Sequence, residues 1–368
     1  MDLWAIALRA RGKLPAEFRD LDTVAIARKL GIACHAVRAD YTFRRAPTEL
    51  IFRGLGLDNH PDYPYRVEVR GLPVTFRHDT ENLWTTVRTP AGEVHMHLKL
   101  TGQMARDGIS LPFVERYPIG TEEDLEAVAQ LFEHLEVVPT PGAYAAFHER
   151  VGEQGVAVAN GLISASPMQL ILHELMPMEQ FFYLYHDRPE VLQRLAARME
   201  PFFHAALEAV ANSGAEVVYW GANYDQDVTW PAFFAKEIAP WLQSVGQGLH
   251  DRGKLLLTHA DGENQALLPL YPACGFDVAE SVCPAPMTRC TLRELRAGFG
   301  PGTTVWGGVP SVALLDESMS DRQFEDYLDR LFGQLGSGDR LILGVSDNVP
   351  PDANLDRLHR IRERVAGE

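Results

Sequence analysis

His259 and Asp261 stand two residues apart at the end of an apolar run, KLLLTHADGENQ, that covers residues 254–265. Residues i and i+2 of a β-strand point to the same face, so this imidazole and this carboxylate can reach one common ligand. Such a pair can bind a metal ion, or it can form hydrogen bonds at the polar end of a strand. Other polar side chains nearby decide between these two interpretations.

Glu280 and Asp347 each end another apolar run. With His259 and Asp261 they would supply one imidazole and three carboxylates to a single site. This donor set suits zinc, and it also suits manganese or ferrous iron. The sequence therefore predicts a divalent metal site at His259, Asp261, Glu280 and Asp347, and these ligands do not decide which metal it binds.

Further polar side chains follow the same runs. Tyr224 and Asp225 come directly after the run at 215–223, and we predict that they take part in catalysis through proton transfer. Three more residues near the ends of these runs are predicted to contact the substrate: Asn160, Asn223 and Cys283.

The apolar runs alternate with helical patterns from about residue 150 onward. Their continuous hydrophobicity is typical of strands that are covered on both faces. One helix is predicted over 187–214, with Asp187 as its cap and Pro189 in its first turn, and another over 320–336, beginning at Ser320. This alternation predicts parallel strands in a (β/α) barrel, whose active site lies at the carboxyl ends of the strands. The runs are 155–163, 215–223, 254–262, 276–282, 303–311 and 340–347.

The first 150 residues follow a different pattern. Residues 65–101 alternate in hydropathy and are interrupted by Gly and Pro, which predicts antiparallel hairpins. A helix is predicted over 121–137, with Thr121 and Asp124 as its capping box. We expect residues 1–150 to form N-terminal helices and a β-rich cap integral to the barrel domain, and residues 151–368 to form the barrel core with the active-site mouth.

The composition of the chain indicates which partners the protein can bind and in which cellular compartment it acts. The chain has 368 residues, of which 46% are hydrophobic and 23% charged, and its net charge is −16. An acidic protein of this kind should repel nucleic acids and anionic membranes, so we expect neither as a partner. The N-terminus does not resemble a signal peptide and no long apolar span occurs, which predicts a cytoplasmic protein with reduced thiols at Cys34, Cys274, Cys283 and Cys290.

Residues 115–368 resemble the uroporphyrinogen decarboxylase superfamily, which includes corrinoid- and coenzyme M-dependent methyltransferases. The segments that carry the resemblance include NSGAEVVYWGAN, LLLTHADG, TTVWGGVPS and LILGVSDNVPPDANLDRL. The resemblance implies a (β/α)8 TIM barrel with a pocket at its mouth. The decarboxylase branch has an arginine-rich N-terminal motif that ends in Gly-Arg-Tyr, and LRARGKLPAEFRDLD is not that motif.

The methyltransferase branch has a zinc site made of His-x-Cys on one strand and a Cys before two prolines on the last. Here His259 matches the histidine, Glu280 lies near a glutamate position of that site, and Asp261 and Asp347 stand where the family has thiolates. A metal with oxygen ligands is a stronger Lewis acid than one with thiolate ligands. Demethylation, hydrolysis and lyase chemistry therefore become as plausible as thiol methylation.

The sequence thus predicts a metal-dependent enzyme that acts on a small molecule, by methyl transfer or demethylation, with a corrinoid protein as a candidate partner. Two alternatives stay open. One is metal-free decarboxylation, a lyase reaction of the uroporphyrinogen type, in which aspartates stabilise cationic intermediates. The other is a cofactor-binding protein without enzymatic activity.

Overall fold

The computed structural model describes residues 1–37 and 46–367. These residues form a mixed α/β structure of strands and helices. The strands are β1 (Tyr65–Val69), β2 (Val74–His78), β3 (Asn82–Thr89), β4 (Gly92–Lys99), β5 (Phe113–Arg116), β6 (Leu135–Pro139), β7 (Ala159–Asn160), β8 (Val217–Ala222), β9 (Leu255–His259), β10 (Val278–Val282), β11 (Thr304–Val309) and β12 (Leu341–Val345). The α-helices are α1 (Asp2–Ala10), α2 (Thr23–Leu30), α3 (Pro47–Leu50), α4 (Gly102–Arg106), α5 (Asp124–Glu133), α6 (Pro141–Val151), α7 (Pro167–Leu170), α8 (Met178–Asp187), α9 (Pro189–Ala211), α10 (Pro231–Phe233), α11 (Ala239–His250), α12 (Leu292–Phe299), α13 (Asp321–Phe332) and α14 (Leu355–Ala366).

One parallel sheet contains six strands in the order β12-β11-β10-β9-β8-β7, so each strand pairs with its neighbour in sequence. Each of the six apolar runs contains one of these strands, and the prediction of parallel strands is confirmed. Strands β8, β9 and β10 are almost entirely buried, as continuous apolar runs require. Closure of this sheet into an eight-stranded barrel stays a prediction.

The predicted helix at 187–214 begins at Pro189 and ends at Ala211, and its N-cap is Arg188 rather than Asp187. Asp187 is instead the last residue of the preceding helix α8. Proline disrupts the hydrogen bonding of a preceding helix but fits the first turn of a new one, which favours a break before Pro189. The side chain of Ser320 caps α13 as predicted, and this helix ends at Phe332, before the predicted end at residue 336.

The N-terminal region contains the predicted antiparallel strands. Strands β2 to β5 form a four-stranded sheet, and β1 pairs with β6. Helix α5 begins at Asp124, three residues later than predicted, and ends at Glu133, because residues 135–139 form β6. The Asp124 carboxylate accepts the backbone N–H groups of Gly120 and Thr121 ahead of the helix. The division at residue 150 stays a prediction.

A short segment after α2 lies beside the parallel sheet. The backbone N–H of Cys34 donates to the carbonyl of Gln154 at 2.9 Å, and that of Val158 donates to the carbonyl of Ala36 at 3.1 Å. These bonds place His35 next to β7. No disulfide joins any of Cys34, Cys274, Cys283 and Cys290. Among the residues described, no helix combines the length and the apolar character needed to cross a bilayer.

Candidate active site

His259 and Glu280 lie opposite each other on neighbouring strands. Glu280 of β10 is in register with His259 of β9, so both side chains project from adjacent positions of the parallel sheet. The Nδ1 atom of His259 lies 2.6 Å from the Oε2 atom of Glu280. Both residues are buried, with 7% and 3% of their surface exposed. The sheet itself therefore holds this imidazole and this carboxylate together.

The two side chains stabilise each other's charged form. Burial alone would lower the pKa of His259, but the negative charges of Glu280 and Asp261 outweigh burial and raise the pKa well above its usual value. Burial alone would raise the pKa of Glu280, but His259 and His35 outweigh it and hold the pKa well below its usual range. Both shifts favour an imidazolium paired with a carboxylate, the form in which the ring nitrogens of His259 are proton donors.

His35 is a third member of this group, and the sequence did not indicate it. Its Nε2 atom lies 2.7 Å from Oε1 of Glu280, although the two residues are 245 positions apart. The ring of His35 also meets the edge of the Trp306 ring, with centroids 5.3 Å apart. Its side chain is 43% exposed. His35, Glu280 and His259 thus form a chain of hydrogen bonds, here called the bridged histidine pair, which runs from solvent into the protein.

Asp261 completes the surroundings of His259. Its Oδ2 atom lies 3.6 Å from Nε2 of His259, which is an ion-pair distance. Its Oδ1 atom is buried and has no hydrogen-bond partner among the described residues. The prediction that His259 and Asp261 can reach one common ligand is consistent with this distance.

A cavity of about 400 Å³ opens beside the bridged histidine pair. This is the size of a pocket for a small organic molecule. Asp347 lines the same cavity as His259 and Glu280, although it lies beyond the end of β12. Its backbone has a positive φ of 63°, a conformation that residues other than glycine seldom adopt and that concentrates at functional sites. The polar residues His35, His259, Glu280, Asp347 and Asn348 all face this cavity.

The predicted metal ligands do not present a metal site as they are arranged. Both oxygens of Glu280 contact imidazole nitrogens, and both nitrogens of His259 face carboxylates. Within residues 1–37 and 46–367, no three His, Cys, Asp or Glu side chains form a group that could hold an ion. The unpartnered Oδ1 of Asp261 is the one observation that favours a cation. We therefore derive no chemical step through a metal, and the metal site stays a prediction.

Tyr224 and Asp225 lie outside this cavity lining. The Tyr224 hydroxyl is fully buried and lies 2.8 Å from Oγ1 of Thr258. Burial raises the pKa of Tyr224 well above its usual value, so its proton is hard to remove. The two carboxylate oxygens of Asp225 accept the backbone N–H groups of Asp227 and Glu263, which fixes the loop after β8. These contacts stabilise the fold, and the catalytic roles of both residues stay predictions.

The three predicted substrate contacts are likewise absent from this cavity lining. Asn160 is buried, and its amide donates to the carbonyl of Val37 at 3.3 Å. Asn223 has a positive φ of 59° in the turn after β8. Cys283 is 8% exposed, and burial raises the pKa of its thiol to about 11. The structure groups these residues near strand ends, but it does not bring them to the bridged histidine pair.

The profile of the uroporphyrinogen decarboxylase (URO-D) family matches residues 94–367. This match covers most of the chain and includes all six parallel strands. The chain belongs to the uroporphyrinogen decarboxylase family. The matched region includes His259, Glu280 and Asp347, whereas His35 lies before it.

A solved structure, described as a methyltransferase from Methanosarcina mazei, has a similar fold. The two chains are 14% identical, the TM-score is 0.50, and the similarity covers 100% of this chain and 99% of the other. At this identity the likeness concerns the fold alone. No curated protein sequence matches the chain.

Proposed function

We propose that this member of the uroporphyrinogen decarboxylase family is an enzyme that transfers or removes a methyl group of a small organic molecule bound in the cavity. The observation that supports the proposal is the position of His259. It lines the cavity, and its imidazolium form is stabilised between two carboxylates. When a methyl group is removed from oxygen, nitrogen or sulfur, the heteroatom keeps the electron pair of the broken bond. A proton donor beside the heteroatom assists the reaction by protonating it as the bond breaks.

His259 is the proton donor in this proposal. Glu280 orients the ring through Nδ1, so Nε2 is the nitrogen directed away from Glu280 and towards Asp261. His35 holds the second oxygen of Glu280 and thereby fixes the carboxylate. A corrinoid protein is the proposed partner; a corrinoid, when bound, supplies the acceptor of the methyl group.

Membership of the family also supports a complete barrel, of which the six-stranded sheet would be a part. We propose that the six parallel strands belong to a (β/α)8 barrel and that the bridged histidine pair lies at its mouth. His259 is the last residue of β9, which is the end of a barrel strand where active sites form. The enzyme is expected to act in the cytoplasm.

Metal dependence is a second candidate, and Asp261 favours it. A cation bound beside Oδ1 of Asp261 would satisfy the one carboxylate oxygen of this group that is buried without a partner among the described residues. Zinc is the first choice, with manganese or iron as alternatives. Stoichiometric metal in the purified protein, lost together with activity in Asp261→Asn, supports this candidate; metal-free protein with full activity contradicts it.

The test of the proposed function is the loss of a methyl group. The protein is incubated with methylated ethers, amines and thioethers together with a reduced corrinoid, and NMR follows each methyl signal. We expect one class of compound to lose its methyl group, and we expect His259→Gln to abolish the loss. Release of CO₂ from uroporphyrinogen, without any loss of methyl groups, would contradict the proposal and favour metal-free decarboxylation.

A further inference from the structure

We propose that the substrate of this cavity is an organic amine with an apolar body, whose protonated nitrogen binds to the carboxylate of Asp347. The inference rests on the proposed function, because it concerns the same cavity. It adds a chemical class of substrate and a specificity role for one residue. Shape, charge and the backbone at Asp347 each support it.

Asp347 offers a carboxylate that residues 1–37 and 46–367 leave without a partner. Among the described residues, no side chain or backbone group makes a hydrogen bond or an ion pair with it, although its side chain lines the cavity. The preceding residue, Ser346, is fixed by two bonds: its N–H donates to the carbonyl of Val309 and its hydroxyl to that of Val282, both at 2.7 Å. The strained φ of 63° at Asp347 follows directly on this anchor.

The rest of the cavity selects an apolar body. Most of its lining side chains are hydrophobic, and they come from α1, α2, β11, β12, the C-terminal helix α14 and neighbouring loops. A ligand that fills about 400 Å³ of such a cavity gains free energy mainly by removing apolar surface from water. The hydrophobic wall includes Trp306, Ile342, Val345, Leu358 and Ile361.

The cavity lining carries charges of both signs, and a cation is favoured locally, at the carboxylate of Asp347. Arg362 is the arginine of the lining, and its guanidinium donates to the carbonyl of Leu30, at the end of α2. Glu280 is bound by two imidazoles, whereas Asp347 has no such partner among the described residues and can bind a ligand. An ammonium group is attracted by Asp347, whereas a carboxylate is repelled by it.

The test compares three probes that share a benzyl or phenyl body: benzylamine, benzyl alcohol and benzoate. Binding to the full-length protein is measured at neutral pH by saturation-transfer NMR and calorimetry, with and without added zinc. We expect benzylamine to bind about tenfold or more tightly than benzyl alcohol, because one charged contact is of that size, and benzoate to bind most weakly. Asp347→Asn should remove the preference for the amine and leave the affinity for the alcohol unchanged.

Ile342→Asp should weaken binding of the alcohol, since it places a charge on the apolar wall. Val156→Asp is its matched control, because Val156 is 49% and Ile342 40% exposed and Val156 lies outside the cavity. Equal binding of benzoate and benzylamine overturns the proposal. The proposal is also overturned if zinc competes with benzylamine and Asp347→Asn abolishes this competition, because the carboxylate of Asp347 would then be a metal ligand. These readouts need no turnover, so they stand or fall separately from the methyl-transfer assay.

Discussion

The Oε2 atom of Glu280 lies 2.6 Å from the Nδ1 atom of His259, and the two residues are register partners on neighbouring parallel strands. A strand-to-strand contact of this kind is set by the sheet and not by a flexible loop. It holds the ring in one orientation inside the protein, with its second nitrogen near Asp261. The sheet thus fixes the ring that we propose as the proton donor, beside the cavity.

Glu280→Gln should abolish this fixed orientation while it keeps the shape of the side chain. We expect the rate of methyl loss to fall by about 10²–10⁴-fold, the usual contribution of a positioned acid or base. The free energy of unfolding should fall by about 1–3 kcal/mol, because a buried partner of two imidazoles loses its charge. The control is Glu179→Gln, on the exposed first turn of α8. It should change neither the rate of methyl loss nor the free energy of unfolding.

His35→Asn tests whether the exposed end of the bridged histidine pair matters for activity more than for folding. The His35 side chain is 43% exposed, so the free energy of unfolding should change by less than about 1 kcal/mol. The kcat for methyl loss should nonetheless fall by about tenfold or more, since Glu280 loses one of its two donors. His186, with a side chain that is 89% exposed, provides the control His186→Asn. An unchanged kcat in His35→Asn would show that His35 is only a surface neighbour.

The sequence predicted the six strands, and it singled out His259, Glu280 and Asp261 as metal ligands, but it did not predict His35. Strands β8 to β11 are buried on both faces, and that environment leaves a continuous apolar pattern that can be recognised locally. His35 belongs to a short segment with no such pattern, and only the fold brings it to Glu280. Tyr224 and Asp225 were predicted as site residues, but they do not line the cavity. A position at a strand end does not reveal whether the side chain points to the core, to a loop or to the cavity.

Gly307→Ala should destabilise the protein, because β11 approaches β10 closely at this residue. A Cβ atom there would lie 2.5 Å from the carbonyl oxygen of Val282, and Gly307 has a φ of 139°. We expect the free energy of unfolding to fall by about 1–3 kcal/mol in chemical denaturation. Gly302→Ala is the control, because a Cβ there has no atom within 4 Å and its φ is ordinary. Equal stability of the two variants would contradict the close approach of the strands.

The buried cysteines should react slowly with thiol reagents in the folded protein. Burial raises the pKa of Cys274 to about 12 and that of Cys283 to about 11, so very little thiolate is present at neutral or mildly alkaline pH. Ellman's reagent should therefore label these two cysteines slowly in the native protein and all four quickly in denaturant. Mass spectrometry identifies the labelled sites. Fast labelling of Cys283 in the native protein would show that it is open to ligands, as the sequence predicted for a substrate contact.

The most direct test of the central claim is histidine ¹⁵N NMR of the metal-free protein, recorded before and after addition of zinc. We predict that Nδ1 of His259 carries a proton in a strong hydrogen bond, that this signal is lost in Glu280→Gln, and that zinc leaves it unchanged. A His259 ring nitrogen whose signal shifts on binding one equivalent of zinc, with loss of the hydrogen-bonded proton, would contradict the account and establish a metal ligand in place of a proton donor.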